Sequence, residues 1–185
     1  MAPWRRANLS RLSAVPAPDT IANMAISVTA PRGLAGLAAP LRVLIRRVLA
    51  SEGRRIGDIG VRLADDALLR QLNRDWRGID RATDVISFAY DEHEADAGQR
   101  PVRGDLALSL ERMRDQARRY RVTPGAELAR LVTHGTLHLC GHDHAQASER
   151  AAMRARETRL LRSAAASVRA LDGVLARSRG ARTLR

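Results

Sequence analysis

Three histidines, His134, His138 and His144, stand at the spacing H-x3-H-x2-G-x2-H. Four residues apart on a helix, His134 and His138 project from one face, close enough for both imidazoles to reach one ion. Gly141 can take the left-handed conformation that ends a helix and turns the chain back. That return brings His144 toward the same ion from a third direction. Three neutral nitrogens with a fourth position open are the donor set of a catalytic zinc, whereas a structural zinc is normally closed by a fourth protein ligand. Cys140, His142 and Asp143 lie in the same run but can close the site only by distorting the turn. His142 rivals His144 as third ligand on chain distance alone, and the spacing from Gly141 favours His144. Asp143 suits either a carboxylate that orients a ligand histidine or a cap for the turn. The long zinc-peptidase signature has this spacing with a glutamate base directly after the first histidine. Here that position is Gly135. The cage is present and the peptidase's base is not.

A second segment, Leu72 to Phe88 (LNRDWRGIDRATDVISF), is more specific than a generic surface. A helix ends near Arg77-Gly78, a polar turn follows, and a strand begins at Asp84. Taken alone, Arg77 is a charge favoured at a helix C-terminus, and Thr83 and Asp84 are turn formers.

The formal charge is +12 and all 32 basic residues are arginine. GC-rich codons would produce the same bias, but the positive field favours polyanions whatever its origin, and nucleic acid or ribonucleoprotein is the natural partner class. Arg74 and Arg81 sit near the proposed site, and Arg112, Arg118 and Arg119 crowd one short helix; these are the candidate RNA contacts. A solvated helix face explains the second group about as well. Aromatic residues make up 3% of the chain, so base stacking has few platforms. Cys140 is the only cysteine, which excludes an intrachain disulfide and fits a reducing, cytoplasmic setting. No window approaches 18 apolar residues, so no membrane span is expected.

These residues need elements to position them. The pattern predicts strands over 25–30, 56–63, 84–90 and 104–110, with an acidic, polar loop over 91–102. It predicts amphipathic helices over 34–51, from Asp65 or Asp66 to about Trp76, and over 111–121. A metal helix opens at Thr123 with Pro124 and Glu127, and another helix starts at Ser148. The expectation is one α/β (α+β-like) domain over 24–162, a four-stranded mixed sheet packed with helices and carrying a zincin-like metal helix. Residues 1–23 read as a basic, disordered extension and 163–185 as a basic C-terminal tail.

The two segments together resemble the YbeY family of bacterial rRNA maturation factors, single-strand-specific metallo-endoribonucleases. The resemblance rests on Leu72-Asn73, Trp76-Arg77-Gly78, Asp80, Thr83-Asp84-Val85, Ser87-Phe88, Gly104-Asp105-Leu106 and the histidine run, in that order. Ala82 and Ala89 stand where the family has proline, and His142 where it has tyrosine. The resemblance implies one zinc ion per chain held by His134, His138 and His144, with Arg77 at the active site. It further implies single-stranded RNA or rRNA as substrate, 16S rRNA 3′-end maturation and ribosome quality control as the role, and the small ribosomal subunit or a ribosomal protein as partner. Two other readings stay open: an assembly factor whose zinc only stabilises the fold, and a zinc hydrolase of peptides, against which Gly135 counts.

Overall fold

Ile26 and Ile59 face one side of a sheet because side chains alternate along a strand, and both are buried. The computed structural model describes residues 25–90, 101–143 and 146–180. The expectations for 1–23 and for most of the loop over 91–102 therefore fall outside the described residues. Four strands, β1 (Ile26–Thr29), β2 (Ile56–Ala64), β3 (Val85–Ala89) and β4 (Val102–Ser109), form one sheet in the order β1-β2-β4-β3. The β1–β2 and β2–β4 pairs are parallel; β3 runs antiparallel to β4 at the edge, pairing Val85 with Leu108 and Ala89 with Gly104. The mixed sheet of the expectation is present, in a single α/β domain with six α-helices among the described residues.

The helices divide between the two faces. A 3-10 turn (Ala35–Leu37) leads into α1 (Ala38–Ser51), which buries Leu41, Leu44, Ile45, Val48 and Leu49 and turns Arg46 and Arg47 to solvent. With α4 (Pro124–Leu139) and α6 (Ala165–Gly180), α1 builds the main core against Ile26, Ile59, Leu63, Leu106 and Leu108. On the other face α2 (Asp66–Arg77) lays Leu69 and Leu72 on Ile86 and Ala107, with Trp76 and Phe88 at the margin. The chain ends this helix at Gly78, whose φ of 70° only glycine adopts at little cost. Two further helices, α3 (Leu110–Tyr120) and α5 (Ala147–Ser163), flank α4 before and after it in the chain.

Caps fall where side-chain acceptors were expected to start helices. Asp65 accepts from the Leu68 amide at 2.9 Å, and Thr123 from the Ala126 amide at 3.2 Å. Glu127 does not complete a capping box with Thr123. It is 2% exposed and pairs with Arg130 at 2.6 Å instead.

The reading of 163–185 as a tail is corrected by α6 over 165–180; residues 181–185 lie outside the described residues. Ala164, Leu171 and Leu175 are buried and Val168 packs against them, at helical spacing that the many interspersed alanines had masked. This helix also completes the start of α4. Asp172 accepts from the Gly125 amide and from the Thr123 hydroxyl, each at 2.7 Å, placing a carboxylate at the positive end of α4. Gly125 leaves the room for it: a Cβ there would meet the Asp172 side chain at 2.7 Å.

Candidate metal centre

Helix α4 carries His134 and His138 on one face, as their spacing requires. Their Nε2 atoms lie 3.1 Å apart, with ring centroids 4.7 Å apart and the rings nearly perpendicular. Two imidazole nitrogens bound to one tetrahedral zinc at about 2.0–2.1 Å each are separated by about 3.3 Å. The observed convergence fits a shared ion. The second nitrogen of His134 is also accounted for. Its Nδ1 lies 2.6 Å from Glu157 Oε1 of α5, a carboxylate placed to take the Nδ1 proton and keep the ring turned with Nε2 toward His138. Glu157 is 9% exposed, and sequence reasoning missed it. Twenty-three residues separate it from His134, and nothing local marks it beyond a glutamate on the inner side of a helix.

His144, the third ligand expected from the sequence, lies outside the described residues. Among those residues no group of three metal-binding side chains is assembled. The turn leading toward His144 is described as far as Asp143. Cys140 closes α4, and Gly141 follows at a φ of 94°, the left-handed conformation anticipated for it. Burial pushes the Cys140 thiol up to about 12, which keeps it protonated against the core. His142 does not point to the paired imidazoles. Its Nε2 donates to Glu52 Oε2 at 2.7 Å, at the C-terminal end of α1. Asp143 is exposed in the same turn.

Gly135 has a packing reason. A Cβ there would approach Leu106 Cδ2 at 2.9 Å and Ser87 Oγ at 3.1 Å, because α4 lies directly on β3 and β4. A glutamate at this position would be driven into the sheet rather than toward the ion. Gly135→Ala is expected to lower stability by about 1–3 kcal/mol through overpacking. Thermal unfolding of the metal-free variant checks this, and an unchanged midpoint would show that the sheet yields.

Arg77 ends α2 on the opposite face of the sheet from α4. Both helix ends nevertheless flank the same end of the edge strand. Trp76 packs edge-on to Phe88 with centroids 5.6 Å apart, while Leu139 Cδ2 approaches Gly104, the partner of Ala89. The sheet thus brings Arg77 and His138 to one end without joining them. Arg77 is exposed and has no hydrogen-bond or ion-pair partner among the described residues. The segment after it is tied down. Arg70 grips Asp80 with two hydrogen bonds, of 2.7 and 2.6 Å, and Asn73 Nδ2 donates to the Arg81 carbonyl at 2.6 Å. The hydrogen bond from Arg70 holds the Asp80 carboxyl below the ordinary range.

Asp84, read as a turn former, anchors β3. Burial works to raise its carboxyl, but hydrogen bonds from Gln116, the Val85 amide and Thr83 outweigh it and leave it lowered. Gln116 in turn accepts from Arg130 at 3.3 Å, one helical turn before His134.

The candidate RNA contacts separate into two groups. Arg112 pairs with Asp66 at 3.3 Å, Arg118 with Asp115, and Arg119 lies 5.8 Å over the Tyr120 ring. Arg74 is shared between Asp75 at 3.4 Å and Asp80 at 3.9 Å. The Arg81 side chain, exposed like that of Arg77, has no ion-pair partner among the described residues.

Residues 38–165 match the family model described as Endoribonuclease YbeY. The chain belongs to the YbeY endoribonuclease family. Relatives bearing that name include one from Chloroflexus aurantiacus, 44% identical over 120 residues, covering 62% of this chain and 78% of the relative. One from Anaeromyxobacter is 41% identical over 133 residues, covering 72% and 67%, and one from Pelotomaculum thermopropionicum is 37% identical over 147 residues, covering 78% and 95%. Among solved structures, that of TM1509 from Thermotoga maritima matches with a TM-score of 0.56 at 26% identity, over 78% of this chain and 92% of that one. The family match ends at Ala165, where α6 begins. No helix among the described residues is long and apolar enough to cross a membrane.

Proposed function

We propose that this chain, an endoribonuclease by family, is a zinc-dependent enzyme that cleaves single-stranded RNA. Its proposed role is the processing of rRNA, in particular 16S rRNA 3′-end maturation, and ribosome quality control in the cytoplasm. The observation that carries the reading is the convergence of His134 and His138 Nε2 at 3.1 Å, with Glu157 holding the far nitrogen of His134. His144 is the proposed third ligand of the single ion. When bound there, zinc supplies Lewis acidity toward a phosphoryl oxygen and toward the attacking oxygen.

The chain's own groups supply the rest. Glu157 fixes the tautomer and orientation of His134. Arg77 presents a guanidinium without an ion-pair partner among the described residues, suited to the charge that builds on phosphorus oxygens as the bond breaks. RNA carries a nucleophile in its 2′-OH, so a strong protein base is less necessary than in peptide hydrolysis. The packing of Gly135 against β3 and β4 is consistent with this and counts against a peptidase. Arg77 and Arg81 are the first candidates for phosphate contact, ahead of Arg74, Arg112, Arg118 and Arg119, whose charges are already paired or stacked. A ribosomal protein or the small subunit is the proposed docking partner.

Arg77→Ala is the test. Cleavage of single-stranded RNA in the presence of zinc should fall by about 10²–10³-fold in kcat, the usual cost of one charge-stabilising donor, with zinc content unchanged. In cells, the 3′ ends of small-subunit rRNA should become extended. Normal cleavage and normal ends with this variant would refute the role given to Arg77; cleavage left unchanged by His138→Ala as well, in a nuclease-free preparation, would favour the assembly-factor reading.

A further inference from the structure

Two turns far apart in the chain are bound to each other beside the metal helix. One joins α1 to β2 and contains Glu52, Gly53 and Arg54; the other follows α4 and contains Cys140, Gly141 and His142. Glu52 Oε2 accepts from His142 Nε2 at 2.7 Å, across 90 positions of sequence. Arg54 Nη1 donates to the Cys140 carbonyl at 3.3 Å, across 86. The Glu52 side chain is only 11% exposed, and Arg156 of α5 stands 3.5 Å from the same carboxylate oxygen. Three elements thus meet on one buried carboxylate, and two of the contacts reach the turn through which the chain continues from His138.

Packing alone does not immobilise this turn. A cavity of about 250 Å³ opens beside it, lined by Gly141, His142, Asp143, Met153 and Arg156 among others. The His142 side chain is 28% exposed. Backbone bonds from the Gly141 amide to the His138 carbonyl at 2.9 Å and from the His142 amide to the Leu137 carbonyl at 3.1 Å set the local shape. They do not tie the turn to the rest of the domain. The side chains of Glu52 and Arg54 do.

We infer that Glu52 and Arg54 act with His142 as a clasp that positions the histidine-bearing turn, so that His142 is a positioning residue and not a metal ligand. The inference deepens the zinc reading above and rests on it. A metal's affinity depends on how far its ligands are ordered before it arrives, and groups that orient ligands from outside typically change it about 10–100-fold. The clasp orders the exit from α4 in the protein before any ion binds.

The test compares Glu52→Gln, His142→Ala, the double variant and the parent chain, all full length. Zinc affinity is read by competition with a chromophoric chelator, and backbone order by hydrogen exchange of the Gly141 and His142 amides in metal-free protein. Each single variant should weaken zinc binding by about 10-fold or more and speed exchange at those two amides. The double variant should resemble the singles, because one contact is lost in each case. Cobalt(II) absorption separates orientation from ligation: the band positions of His142→Ala should match those of the parent. A changed cobalt spectrum in His142→Ala alone would make His142 a ligand and overturn the clasp. Unchanged zinc affinity together with unchanged exchange in both singles would also overturn it, leaving the zinc reading intact. A parent chain that binds no zinc would overturn both.

Discussion

His138→Ala is expected to abolish zinc retention and to lower cleavage of single-stranded RNA by at least about 10³-fold, while the domain stays folded. The magnitude follows from the several kcal/mol of charge stabilisation that a catalytic metal supplies, each 1.4 kcal/mol being worth a factor of ten. The imidazole is partly exposed at the last turn of α4 and belongs to none of the apolar clusters that hold the helix down. Loss of the ring therefore removes a ligand without opening a cavity. Metal analysis of the purified variant, circular dichroism and cleavage rates on one RNA check the three parts separately. Full metal content with full activity would sink the zinc reading. Loss of the circular dichroism signal would show that the ion holds the fold rather than the reaction, which is the alternative of a zinc-stabilised assembly factor.

The second large effect lies far from the chemistry. Truncation after Ser163 is expected to unfold the domain or leave it marginally stable. It removes Leu171 and Leu175, 0% and 3% exposed, from the core that α6 shares with α1 and α4. Deleting one buried leucine costs about 2–5 kcal/mol, and domains have about 5–15 kcal/mol in all. The cut also removes Asp172 from the start of α4. Leu171→Ala is the milder companion, with a loss of about 2–5 kcal/mol in denaturant titration. A truncated chain with unchanged midpoint would mean that the core closes without α6. The family match ends at Ala165, so nearly all of this helix lies beyond the matched residues.

What was legible in advance was local. The pairing of His134 with His138 depends only on the helical repeat, and the caps at Asp65 and Thr123 only on side chains reaching the next turn. The left-handed Gly141 is likewise a property of one residue at one helix end. The edge position of β3 was not legible, because alternation marks a strand without saying which neighbour it pairs with. Nor was the destination of His142, the one histidine in the run that its spacing left unplaced. It is held by Glu52, a residue ninety positions away that no periodicity connects to it.

The sequence by itself determined the histidine pair His134 and His138, the helix that presents it, and the absence of a peptidase base at Gly135. Tertiary structure decided why that glycine is there, with α4 pressed onto Leu106 and Ser87. It also decided which carboxylate pairs with His134, that Arg77 ends a helix on the opposite face of the sheet from α4, and that the last helix belongs to the core. The physical reason is range. Helical repeat, capping and backbone conformation act over a few residues, and their signal is written beside the residues concerned. Burial, buried ion pairs and sheet order are set by whichever distant segments fill the remaining space, and that is settled only when the whole chain has packed.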